Sequence, residues 1–153
     1  MDRLQRIRRL HVLKEQLLKR CEQDQRAAEN QLRKEETHLK TIEDMEIAAL
    51  CARDSATVAA EMVAWHQYAE YLEGHESQQA VVLNDCYETL EAKRERTAVA
   101  FIEAKRWENH ENRTTSFVAA DLEHSQQRAA DDLAALSHGR PSLLSTGGQG
   151  GWK

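Results

Sequence analysis

The chain has 153 residues and a net charge of −5; it is 41% hydrophobic and 31% charged, and only 5% aromatic. Such a composition argues against a broad packed core, and no run approaches the ~18 consecutive apolar residues of a membrane span. The opening Met1-Asp2-Arg3-Leu4-Gln5-Arg6 leads into no apolar leader, and Cys21, Cys51 and Cys86 lack the spacing of a zinc site or disulfide framework, so a cytoplasmic protein with reduced thiols is expected.

Between Met1 and His138 there is no proline and a single glycine, Gly74. Proline costs ~3 kcal/mol and glycine ~1 kcal/mol relative to alanine inside a helix, so the chain is free to be helical over that whole length. The first helix is expected over residues 3–52. Its apolar positions recur at threes and fours: Leu4, Ile7, Leu10 or His11, Leu17 and Leu18, Cys21, Ala28, Leu32, Leu39, Ile42 and Ala49. This is a heptad seam, weakened where the same register places Lys14, Gln25, Glu35 and Glu46.

A turn is expected over residues 53–57, where Asp54, Ser55 and Thr57 are each able to cap a new helix. A second helix follows over 58–137, with seam residues Val58, Met62, Trp65, Ala69, Leu72, Leu83, Cys86, Leu90, Ala100 or Phe101, Ala104, Trp107, Val118 and Leu122. At 1.5 Å per residue the rods would be ~75 and ~120 Å long, so the second overhangs the first. The fold class expected is therefore all-α: two long helices forming an unequal antiparallel coiled-coil hairpin over residues 1–138. The tail, residues 139–153, with Pro141 and Gly147-Gly148-Gln149-Gly150-Gly151, is expected to be disordered. Folding about residue 55 sets Cys21 opposite about position 89, close to Cys86, where both would serve as small packing residues. Gly74 reads as a tolerated helix glycine.

Charge is uneven along the first rod. Residues 1–20 hold Arg3, Arg6, Arg8, Arg9, Lys14, Lys19 and Arg20 against Asp2 and Glu15. A basic end suits an acidic protein cavity, nucleic acid or anionic lipid, or is simply a solvated face balanced by the facing helix. Nucleic acid fits poorly because no aromatic residues interleave with the bases, and lipid fits poorly because the apolar face lacks tryptophan and phenylalanine.

No nucleophile elbow, phosphate-binding loop or HExxH motif occurs, and the seven histidines are scattered without ligand spacing. An enzyme, a cofactor and a metal are not expected. One cluster stands out: Trp65, Tyr68 and Tyr71 fall at i, i+3 and i+6 and form a tilted stripe beside Leu72 just after the turn. Aromatics in such a position either lock the hairpin or anchor a partner.

The opening Arg6-Ile7-Arg8-Arg9-Leu10-His11-Val12-Leu13-Lys14 resembles the start of the YscO-type stalk proteins of bacterial type III secretion, and the Trp65-x-x-Tyr68-x-x-Tyr71 step is similar to that of the flagellar counterpart FliJ. The resemblance covers about 135 residues. It implies a non-enzymatic central stalk, like the γ subunit of rotary ATPases. The paired ends would enter the hexameric type III export ATPase, with Arg3, Arg6, Arg8, Arg9 and Lys14 binding its lumen. The turn-proximal half would meet the nonameric export gate's cytoplasmic domain through Trp65, Tyr68, Tyr71 and Leu72, although His75 and Gln78 depart from the family's apolar stripe. Export chaperones are further implied partners. The protein would be cytoplasmic and peripheral to the inner-membrane export apparatus, with no nucleic acid and no direct membrane insertion. Three rivals remain: a coiled-coil scaffold self-associating through Trp107 to Leu136, a nucleic-acid-binding arm that uses the basic N-terminal end with Arg6, Arg8 and Arg9, and a chaperone-binding rod that leaves the ATPase unstimulated.

Overall fold

The computed structural model describes residues 3–138; the tail expectation for 139–153 lies outside them. Two helices account for nearly all of that span: α1, Arg3–Ser55, and α2, Ala59–His138. They pack against each other as an antiparallel hairpin. At 1.5 Å per residue the helices measure ~80 and ~120 Å. No described helix is long and apolar enough to cross a membrane.

The helix–helix contact follows the heptads without interruption. On α1 the line of buried and half-buried residues runs Leu4, Ile7, His11, Lys14, Leu18, Cys21, Gln25, Ala28, Leu32, Glu35, Leu39, Ile42, Glu46 and Ala49. On α2 it runs Ala69, Leu72, Glu76, Gln79, Leu83, Cys86, Leu90, Lys93, Thr97, Ala100, Ala104, Trp107, Glu111 and Thr114. Alternating steps of three and four keep each line facing the other only if both helices supercoil slightly, which is the geometry of a left-handed coiled coil. His11 rather than Leu10, Leu18 rather than Leu17, and Ala100 rather than Phe101 occupy the contact.

The apolar part of the seam is concentrated in two places. Near the turn Ile42, Ala49, Ala69 and Leu72 pack together with Leu50. Further along, Leu32, Leu83 and Leu90 form a second cluster with Ala28, Leu39 and Cys86. Polar pairs join them. Gln79, itself buried, donates from Nε2 to the Glu35 carbonyl at 3.2 Å and to Glu35 Oε2 at 2.6 Å. A buried amide tied to one residue of the opposing helix tolerates few alternative alignments, so Gln79 fixes the register at some expense of stability.

The turn falls at Ala56-Thr57-Val58, later than the capping residues suggested. Ser55 donates its hydroxyl to the Cys51 carbonyl and Asp54 accepts from Arg53, so both side chains serve the end of α1. The Val58 carbonyl accepts the first α2 amides, from Glu61 and Met62. The later turn shifts the register. Thr97 donates to the Cys21 carbonyl at 3.2 Å, whereas Cys86 sits in the Leu32 cluster, so the expected proximity of Cys21 and Cys86 does not occur. All three cysteines are free thiols. Gly74 is helical, and a Cβ built on it would meet nothing within 4 Å.

Candidate interaction surfaces

Three surfaces of the rod carry features that packing alone does not require. The first is the basic start of α1. Arg3 and Arg6 stand in its first turns, where the helix dipole disfavours positive charge, and no acidic residue accompanies them in the first turn. At 100° per residue the five expected binding residues encircle the helix rather than sharing a face. Ile7 is buried against α2, and the two bases nearest the contact are engaged within the hairpin. Arg8 Nε donates to Glu111 Oε1 at 3.2 Å, Lys14 Nζ pairs with Glu103, and His11 Nδ1 lies 2.7 Å from Glu111 Oε2. The Lys14 ammonium holds the Glu103 carboxyl below its ordinary range. Arg3, Arg6 and Arg9 are exposed. The basic end is thus part internal clamp and part open collar, a division invisible in the charge count because the partner acids lie about a hundred residues away.

The second surface is the aromatic stripe at the start of α2. Trp65 meets Tyr68 edge-on with ring centroids 6.2 Å apart, and Tyr68 stacks on Tyr71 at 6.3 Å. His75 extends the ladder, its ring edge-on to Tyr71 at 4.7 Å and its Nε2 2.8 Å from the Tyr71 hydroxyl. His75, which in the sequence stands only as a departure from the family's apolar stripe, lies at i, i+4 from Tyr71, the spacing that sets two side chains on one helix face. The stripe climbs from Trp65, on the seam line where α1 runs out, to Tyr71, which is 60% exposed. Leu72 takes no part in this surface: at 3% exposure it is seated between Ile42, Ala49 and Ala69 and positions the ladder from beneath. Tyr71 is the most open of these rings, with Trp65 and Tyr68 40% and 36% exposed, and flat, rigid aromatics of this kind bind with little loss of side-chain entropy.

The third surface is the free end of α2. Trp107 is half-buried by the start of α1, so the overhang begins only after Thr114 and every residue from 115 to 138 is exposed. Along the flank of the paired region a groove of about 720 Å³ opens where small side chains meet, lined among others by Leu17, Arg20, Cys21, Ala92, Arg96 and Ala100.

No family model matches the chain. Searches of curated proteins and of solved structures likewise return no match. The likeness to YscO-type stalks therefore rests on the opening residues, the aromatic step and the layout of the rod.

One further feature concerns the chemistry of the seam. Glu46 and Glu76 meet across the two helices, and burial, their mutual hydrogen bond and repulsion from Glu76, Glu73 and Glu43 raise the Glu46 carboxyl above its usual value. Among the described residues no group of three or more histidine, cysteine or acidic side chains is arranged to hold a metal ion.

Proposed function

We propose that this chain is the central stalk of a bacterial type III protein export system, seated in the cytoplasm against the inner-membrane export apparatus. The observation that carries the reading is the separation of its two exposed features along one rod. Arg3, Arg6 and Arg9 lie at the paired end, and Tyr68 and Tyr71 near the turn, with ~60 Å of two-helix coiled coil between them. A rod that presents a basic collar at one end and an aromatic ladder at the other suits a link between two partners, with the collar in the lumen of the hexameric export ATPase and the ladder on the nonameric gate. The stalk hydrolyses nothing. It acts by presenting a charged, asymmetric end to a ring whose subunits pass through nonequivalent states, and the same polar seam that lowers its stability lets it bend with them. Export chaperones are candidate riders on the exposed flanks.

Steady-state turnover of the cognate export ATPase, measured with and without the protein, tests this. Arg3 and Arg6 changed together to glutamate should abolish stimulation while leaving thermal unfolding within a few degrees, because both side chains are exposed in the first turns of α1. Tyr68→Ala with Tyr71→Ala should retain stimulation and weaken binding to the gate's cytoplasmic domain by about tenfold or more. Absence of stimulation at every stoichiometry would overturn the stalk reading in favour of a scaffold.

A further inference from the structure

Beyond Thr114 the seam of α2 does not fade into a uniformly polar helix. Val118, Leu122, Leu133 and Leu136 are all exposed, and at 100° per residue they fall with Ala129 within an arc of about 60°. The same arc contains Ala104 and Glu111 from the stretch of α2 that α1 covers, with Trp107 about 20° outside it. The strict heptad positions past Val118 are Asp121, Ser125, Arg128 and Asp132, so the leucines sit one residue out of phase. A skip of this kind relaxes the supercoil and straightens the stripe. What results is an apolar strip ~27 Å long, continuous with an occupied helix interface and left without a partner.

Charge selects the occupant. Asp121 and Asp132 border the strip on one side and Glu123 lies beyond the other. From 115 to 138 the acids Asp121, Glu123, Asp131 and Asp132 face only Arg128. Two copies of this segment would set like charge against like. The preceding stretch of the same face shows what α2 accepts: the start of α1 buries Ile7 on it and sends Arg8 and His11 to Glu111 and Lys14 to Glu103. We infer that residues 115–138 are a docking strip for a basic amphipathic helix of another protein, laid end to end with the start of α1 in the same groove line. The inference is independent of the stalk reading and holds for any rod with this overhang.

The test uses the full chain and two labelled helical peptides of about three heptads with leucine and isoleucine seams, one flanked by lysine and arginine and the other by glutamate. Fluorescence anisotropy should show saturable binding of the basic peptide alone, weakened about tenfold between about 0.05 M and about 0.5 M salt. Leu122→Asp with Leu133→Asp should abolish it while leaving the melting temperature of the hairpin unchanged, since both residues lie outside the paired region. Asp121→Lys with Asp132→Lys should reverse the preference toward the acidic peptide. Equal binding of the two peptides, no binding of either, or a mass in sedimentation that rises with concentration and reverts in the Leu133→Asp variant would overturn the proposal, the last by making a second copy the occupant.

Discussion

The register is the property on which every cross-helix statement depends, and one engineered cysteine tests it. With Thr97 seated over the Cys21 carbonyl, Thr97→Cys in a background of Cys51→Ser and Cys86→Ser should form an intramolecular disulfide with Cys21 under mild oxidation. The bridge would close the turn-proximal part of the hairpin, from Cys21 round to residue 97. For a loop from residue 21 to residue 97 the chain-entropy relation gives an upper bound of about 4.5 kcal/mol. That corresponds to a rise in melting temperature on the order of 10 °C, reversed by reductant. Non-reducing electrophoresis and the mass of the linked tryptic peptides identify the bond; far-ultraviolet circular dichroism with and without reductant gives the shift. The companion variant keeps Thr97 and Cys86 and should stay reduced. Cys86 lies eleven residues nearer the turn than Thr97, ~16 Å along the helix, whereas a disulfide needs Cα atoms within ~7 Å. A rapid Cys21 to Cys86 crosslink in that variant, with none in Thr97→Cys, would refute the register described here.

Leu72→Ala removes three carbons from a side chain held between Ile42, Ala49 and Ala69 and should cost about 2–3 kcal/mol, the lower part of the usual range because a two-helix seam readily collapses or admits water. Leu13→Ala, at a position 58% exposed, should change chemical-denaturation stability by less than about 0.5 kcal/mol, and equal effects would mean that α1 does not cover Leu72. Gly74→Ala meets open space in an unstrained helix and should stabilise by about 0.5–1 kcal/mol, read as a higher denaturant midpoint at constant slope. The pH profile divides by sign. Glu46 has a folded-state value raised above the usual 4.5, so the hairpin gains stability as pH falls from neutrality toward that value. Glu103 and Glu108 are lowered by Lys14 and Lys105, so their contribution is present above 4.5 and is lost as pH falls through their folded values. Melting temperature should therefore peak on the mildly acidic side. Glu46→Gln should raise it at neutral pH and flatten the rise, and an unchanged profile in that variant would remove Glu46 from the seam.

Most of the architecture was legible because heptads are a local signal. The spacing of Leu4, Ile7, Leu32, Leu39 and Ile42 specifies one face of α1 whatever lies opposite, and the absence of proline lets the face persist. Ambiguities arose where two neighbouring apolar residues competed, as at Leu17 and Leu18, and the phase of the distant heptads decides them. The register was not legible. Asp54 and Ser55 read as caps for α2 but bond within α1, and moving the effective fold point outward by a few residues moves every facing pair by twice as much. The surfaces divide in the same way. The aromatic ladder is local in sequence and was visible there, whereas the neutralisation of Arg8 and Lys14 by Glu111 and Glu103 depends on a pairing that only the fold supplies.

The distribution of polar residues along the seam bears on how such a rod works. If the seam served stability alone, Glu35, Glu46, Glu76 and Gln79 would be better replaced by leucine or isoleucine, because each displaces apolar contact from a narrow core whose apolar clusters, among the described residues, are small. Their arrangement has a different consequence. Gln79 and Glu35 lock one alignment at the centre, while the Glu46 and Glu76 carboxyls loosen the turn-proximal side and the Lys14, Thr97 and Glu103 contacts leave the basic end held by polar bonds. A hairpin pinned at Gln79 and held by apolar clusters on both sides of it, but joined by polar bonds at its basic end, keeps its register while that end adjusts. Binding at either end then adds stability by mass action, about 2.7 kcal/mol when the partner is at a hundred times its dissociation constant. Such a rod is stiffest when engaged, so hydrogen exchange at Ile7 to Lys14 should slow on partner binding, whereas the segments around Leu72 and from Leu83 to Leu90 should be protected already in the free protein.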